Sequence, residues 1–164
     1  MELTDKKKIA ILMSIFIISI IGAVISLSLV LSQKPTQEYL LKSKDYNLTY
    51  IGNPTDNKPN GDTKIKSSDG NFSLNGTFKD GVFVKGIISL KNDGVEYYLD
   101  GEFNDFNIVD GKITIITNDK IIYKEGVFID NKLDGNGAMR IEDKNTGEIL
   151  FNYSGKFESD VPQY

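Results

Sequence analysis

The sequence predicts an all-β repeat array: a single-layered, twisted antiparallel sheet of stacked β-hairpins, preceded by one transmembrane α-helix. Three observations predict it. A glycine followed two residues later by an aromatic recurs as Gly76 and Phe78, Gly101 and Phe103, Gly126 and Phe128, and Gly155 and Phe157, with a degenerate start at Gly52 and Pro54. Neighbouring glycines are 24, 25, 25 and 29 residues apart. A fixed period in that range marks a stacked array of supersecondary units. Second, turn signals fall between the apolar runs at regular intervals. Third, an uncharged run near the amino terminus is long enough to cross a bilayer.

That run covers Ile9 to Ser32, 24 positions without a charge. As a helix it would reach about 36 Å against a hydrocarbon core of about 30 Å, so a tilted span fits. Lys6, Lys7 and Lys8 precede it and Lys34 alone follows closely. The lysine excess points residues 1–8 to the cytoplasm and everything after Ser32 outward. A cleaved signal peptide is the competing reading, but its apolar region would be shorter, about 7 to 15 residues. An uncleaved, single-pass anchor in the cell membrane is expected. Ser19 with Ala23, and Gly22 with Ser26, are small residues four apart, a spacing that allows weak homodimerisation of such helices.

Residues 33–49 read as a juxtamembrane linker, with Pro35 ending the membrane helix. From residue 50 to 164 the chain reads as hairpins. Two positions before each leading glycine stand Tyr50, Leu74, Leu99, Lys124 and Tyr153. Residues two apart on a strand share a face, so most units flank a bare glycine with two bulky apolar groups. The missing side chain lets a neighbouring ring lie over the backbone, which explains glycine inside a strand. A second glycine column is expected at Gly61, Gly86, Gly111 and Gly135, followed four residues on by the apolar ladder Ile65, Leu90, Ile115 and Met139. Turns are expected at Lys79-Asp80-Gly81 and Asp130-Asn131-Lys132, and at Asp69-Gly70, Asn92-Asp93-Gly94, Asn118-Asp119 and Thr146-Gly147. Eight or nine strands would give a sheet about 40 Å long.

The stretch Gly126-Val-Phe128-Ile-Asp-Asn-Lys-Leu-Asp-Gly135-Asn-Gly137 resembles the core of a MORN repeat: an aromatic, any residue, glycine, any residue, an aromatic, then glycines nine and eleven beyond the first. Tyr50-Ile-Gly52 through Gly61 is similar, and Tyr153-Ser-Gly155-Lys-Phe157 begins a truncated last copy. The resemblance covers roughly Tyr50 to Pro162. The units beginning at Gly76 and Gly101 place their second glycine one residue late, Pro54 replaces the first aromatic, and Lys124 interrupts the aromatic column. What the resemblance implies is a hairpin sheet used as a scaffold, with a lipid contact in some relatives.

Composition narrows the chemistry. The chain has no Cys, His or Trp, which removes disulfides, thiolate and imidazole metal ligands and the commonest catalytic base. Its net charge of −4 disfavours nucleic acid and anionic lipid surfaces. Asp130, Asp134 and Asn136 lack the spacing and terminal Glu of a calcium loop and read as turn residues. Glu102 with Asp105, or Glu142 with Asp143, could in principle do acid–base work, but no pocket or nucleophile accompanies them. No catalytic residue, metal or cofactor is expected. A single sheet cannot bury both faces, so an exposed apolar ladder would be a contact surface. The candidate interaction face is Leu74, Phe78, Leu99, Phe103, Phe128, Tyr153 and Phe157. The expected function is a non-enzymatic, membrane-anchored, extracytoplasmic module that binds a protein or envelope partner as a scaffold. The alternatives are an immunity or accessory factor for a secreted protein, an envelope glycosidase, and a purely structural spacer.

Overall fold

The computed structural model describes residues 37–42, 47–56, 58–104 and 106–164. The segments expected to form a cytoplasmic tail and a transmembrane helix with small-residue pairs lie outside the described residues. Among the described residues no helix is long and apolar enough to cross a membrane. Everything regular is strand: β1 (Gln37–Lys42), β2 (Asn47–Gly52), β3 (Gly61–Ser67), β4 (Phe72–Lys79), β5 (Val82–Asn92), β6 (Val95–Asn104), β7 (Asn107–Ile116), β8 (Lys120–Ile129), β9 (Lys132–Asp143), β10 (Ile149–Glu158) and β11 (Val161–Gln163). They form one sheet whose spatial order is the chain order, each pair antiparallel. The hairpin array is therefore observed, with 11 strands where eight or nine were expected. The difference lies at the ends. β1 and the first half of β2 occupy the stretch read as linker, and β11 follows the last repeat glycine.

All six expected turns are present, each joining successive strands. Four two-residue hairpin loops carry positive φ at both central residues: Asp80-Gly81, Asp93-Gly94, Asp130-Asn131 and Ser159-Asp160. Those angles define the turn whose twist matches that of paired strands, and Asp, Asn and Gly tolerate them best.

The register places Gly76, Gly86, Gly101, Gly111, Gly126, Gly137 and Gly155 opposite one another on seven consecutive strands, β4 to β10. Gly137 fills the row on β9, so the expected Gly135 is corrected; Gly135 instead faces Phe157. Gly61 is likewise out of the row, where Thr63 stands opposite Gly76. From Gly76 to Gly137 the backbones approach too closely for any side chain, and at Gly155 the Tyr153 ring takes that space. A Cβ on Gly101 would lie 2.9 Å from the Cα of Gly111, and one on Gly86 would lie 2.6 Å from that of Gly76.

Side chains flanking the row, two positions away on one side and two to four on the other where the register shifts, point to one face and form the core. On one side run Tyr50, Ile65, Leu74, Ile88, Leu99, Ile113 and Met139, and on the other Phe78, Phe83, Phe103, Ile108, Phe128, Leu133 and Phe157, all buried. A further step out, Leu48, Phe72, Leu90 and Tyr97 are buried, while Ile115, Ile141 and Phe151 are half-buried. The expected ladder of Ile65, Leu90, Ile115 and Met139 thus divides between two rows, because the spacing to the glycine differs between units. Rings meet along the short side: Phe83 and Phe103 at 4.7 Å, Phe78 and Phe83 at 5.2 Å. They also reach across the glycines. Tyr153 and Phe157 are four residues apart on one strand, about 13 Å if extended, yet their ring centroids are 5.2 Å apart. Bare backbone between them lets the rings lean together. Fully burying one such side chain contributes about 1.5–3 kcal/mol.

Candidate contact surface

The seven residues expected to form an open face do not. Leu74, Phe78, Leu99, Phe103, Phe128 and Phe157 are buried and Tyr153 is half-buried. They are the core of the sheet, so their assignment as an interaction face is corrected. The reason is the glycine row: it brings the two apolar ladders close enough to cover each other, which a flat sheet would not allow.

The available surface is the opposite face, carried by the alternate residues. Its centre is a row in register across six strands, β5 to β10: Ser89, Tyr98, Thr114, Tyr123, Arg140 and Asn152. Every member can hydrogen-bond, and none is acidic or aliphatic. Two ordinary rules put them there. Strand alternation turns Tyr98 away from buried Leu99 and Tyr97, and β-branched and aromatic residues suit a half-exposed pleat.

Two tyrosines are fixed in place by neighbours. The Tyr98 hydroxyl donates to Glu96 Oε2 at 2.5 Å, and Lys91 Nζ lies 3.2 Å from the same oxygen. That hydrogen bond holds the Glu96 carboxyl below its usual range and pushes the Tyr98 hydroxyl up. Arg140 Cζ sits 4.8 Å from the centre of the Tyr123 ring, and its Nη2 is 3.1 Å from Glu142 Oε1. Lys112 and Glu125 pair at 3.4 Å beside the row. Exposed pairs of this kind add little to stability. Each pair offsets its own charges, and Asp100 beside Tyr98 adds a further exposed carboxylate.

Carboxylates elsewhere serve the fold. Asp160 Oδ1 accepts from the Leu133 N–H at 2.8 Å, and its Oδ2 is 2.7 Å from Lys124 Nζ. Lys124 sits in the core ladder with its side chain only 10% exposed, so this pair resolves the interruption seen in the sequence. Asn131 Oδ1 accepts from the Ile108 N–H at 3.3 Å. Asp134 accepts from the Ser159 N–H at 3.2 Å and Asp130 occupies a turn, which is how the stretch compared with a calcium loop is used. Glu102 and Glu142 belong to the open face; Asp105 lies outside the described residues. Among the described residues no group of three or more His, Cys, Asp or Glu converges as a metal site.

Sequence reasoning missed Phe106. It has a φ of +67° in the β6–β7 turn, and its ring is buried against Phe83, 5.7 Å between centres and nearly parallel. The repeat carried a signal for it. Phe106, Asn131 and Asp160 are 25 and 29 residues apart, the same steps as the glycines, and each reaches back to the preceding hairpin. No family model matches the chain, and no curated protein sequence matches it.

Proposed function

We propose that this chain is a non-enzymatic, membrane-anchored scaffold: a MORN-like hairpin sheet held on the extracytoplasmic side by the 9–32 segment, whose open face takes up a protein or another envelope component. The observation that carries the reading is the row from Ser89 to Asn152, a continuous polar and aromatic surface on six adjacent strands. Tyr and Arg dominate the energetics of binding surfaces because they offer large, adaptable contact areas. An uncharged run of 24 residues behind three lysines supports the anchor and its orientation.

The test uses intact cells. A photoreactive residue at Thr114 should yield a crosslinked adduct that disappears in Tyr98→Ser/Tyr123→Ser, with circular dichroism unchanged. Substituting Phe103 or Phe128 is no test of a surface, because both are buried. A tag after Tyr164 should be digested by protease added outside. An adduct undiminished by the double substitution, or a tag protected in intact cells, would refute the respective half of the reading.

A further inference from the structure

We propose that the row on the open face is a track for an uncharged, extended β-linked glycan strand lying across the β-strands. This rests on the scaffold reading and specifies the envelope component.

The first argument is spacing. Adjacent members of the row stand one strand apart, about 4.8 Å, so six members span about 24 Å. A pyranose in an extended β-linked chain advances by close to one strand spacing. Such a polymer therefore meets one side chain per sugar, and it stays in register along the row. Tyr98 and Tyr123 are two strands apart, about 10 Å, which presents an aromatic group to every second sugar. Alternate sugars in such a chain turn the same way, so both rings meet equivalent surfaces.

The second argument is chemistry. Sugars offer apolar C–H faces and a dense rim of hydroxyls. Tyr rings suit the former, while Ser89, Thr114 and Asn152 donate and accept with the latter. Arg140 bridges the two by lying against Tyr123 with its remaining N–H groups available at the rim.

The third argument is charge. Arg140 is the row's single formal charge, and it is paired with Glu142. Beside the row Lys91 pairs with Glu96 and Lys112 with Glu125, and the remaining flanking charge, exposed Asp100, is an acid that would repel a polyanion. A polyanion would need clustered cations, and this face has none in the row. A neutral polymer loses nothing here. The tyrosines are already oriented, by Glu96 in one case and Arg140 in the other, so little side-chain freedom remains to be lost on binding.

The experiment is calorimetric titration of the full-length chain, kept in a detergent without a sugar headgroup, against cellohexaose, chitohexaose and the α-linked maltohexaose. Saturable binding is expected for at least one β-linked hexamer and not for maltohexaose, whose chain curls. Tyr98→Thr or Tyr123→Thr should each weaken binding, and the double variant by about tenfold or more. Threonine keeps strand propensity, and unchanged circular dichroism separates loss of contact from loss of fold. Lys156→Thr, on the same face but outside the row, should bind as the parent does. No saturable binding to either β-linked hexamer would overturn the inference, as would equal binding of maltohexaose or an unaffected double variant. If the hexamers fail while the Thr114 adduct is still lost in the double tyrosine variant, the glycan assignment falls and the scaffold reading stands.

Discussion

Replacing Gly101 by alanine, which adds one methyl group, should destabilise this sheet about as much as truncating a buried side chain. Gly101 has an ordinary φ, so alanine suffers no backbone strain there and even gains about 0.4–1 kcal/mol by restricting the unfolded chain. The obstacle is steric. Its Cβ would run into the carbonyl oxygen of Asp110 and lie 2.9 Å from the Gly111 Cα, half an ångström inside ordinary contact, which begins near 3.4 Å. Both obstacles are backbone held in a ladder, so neither can swing aside. Ordinary overpacking costs about 1–3 kcal/mol; with the obstacles all backbone of β7 the upper end applies, and strands β6 and β7 must separate. Gly147 is the internal control. It has a φ of +74° and open space around it, so alanine there costs only the left-handed penalty of about 1–2 kcal/mol. Urea titration followed by far-ultraviolet circular dichroism compares the two. Gly101→Ala should lose about 3 kcal/mol and Gly147→Ala about 1 kcal/mol. If Gly101→Ala stays within about 0.5 kcal/mol of the parent, or costs less than Gly147→Ala, close approach along the glycine row is not what shapes the sheet.

Three further outcomes follow from named contacts. Asp160→Asn keeps an acceptor for the Leu133 N–H but strips the nearly buried Lys124 of its counter-charge, and should cost about 1–3 kcal/mol by urea titration; adding Lys124→Met should recover most of it. Phe106 combines a positive φ with a buried ring, so Phe106→Ala should lose about 3–5 kcal/mol and Phe106→Gly about 1 kcal/mol less, an order reversed if the turn is not left-handed. Stability should also fall with acid. The Asp143 carboxylate accepts from the Thr146 and Asn145 N–H groups, and Asp69 accepts from the Ser67 hydroxyl and from the Asn71 N–H, which hold both below the usual range. A depressed native pKa adds stability that is present above the unfolded value and disappears as pH drops through the native one, below about pH 4. Replacing both by alanine should flatten the acid limb of a melting-temperature profile, and an unchanged limb would contradict the assignment.

Turn chemistry made the array legible. Asp-Gly and Asp-Asn pairs state their backbone angles locally, so the hairpins could be read without knowing their partners. The repeated glycine was equally plain, but its consequence was not. Alternation tells which residues share a face and says nothing of whether that face is dry. Only the register aligns Gly101 with Gly86 and Gly111 and lets the ladders meet, which turned Phe103 and Phe128 from surface into core. The shift from Gly135 to Gly137 has a similar origin. An irregularity between Gly126 and Phe128 changes the count on one strand, a choice made by pairing and not by spacing. Phe106 was hidden because an aromatic in a left-handed turn runs against local propensity, and its compensation lies in Phe83 on another hairpin.

The central claim is that the apolar ladders face inward and the Ser89-to-Asn152 row faces out. The chain has no native cysteine, so single cysteines report cleanly on accessibility. Ser89→Cys, Thr114→Cys and Asn152→Cys should react with a membrane-impermeant maleimide on intact cells, while Leu99→Cys and Leu133→Cys should react only after denaturation. Equal labelling of Leu99→Cys and Thr114→Cys in the native chain would contradict the account.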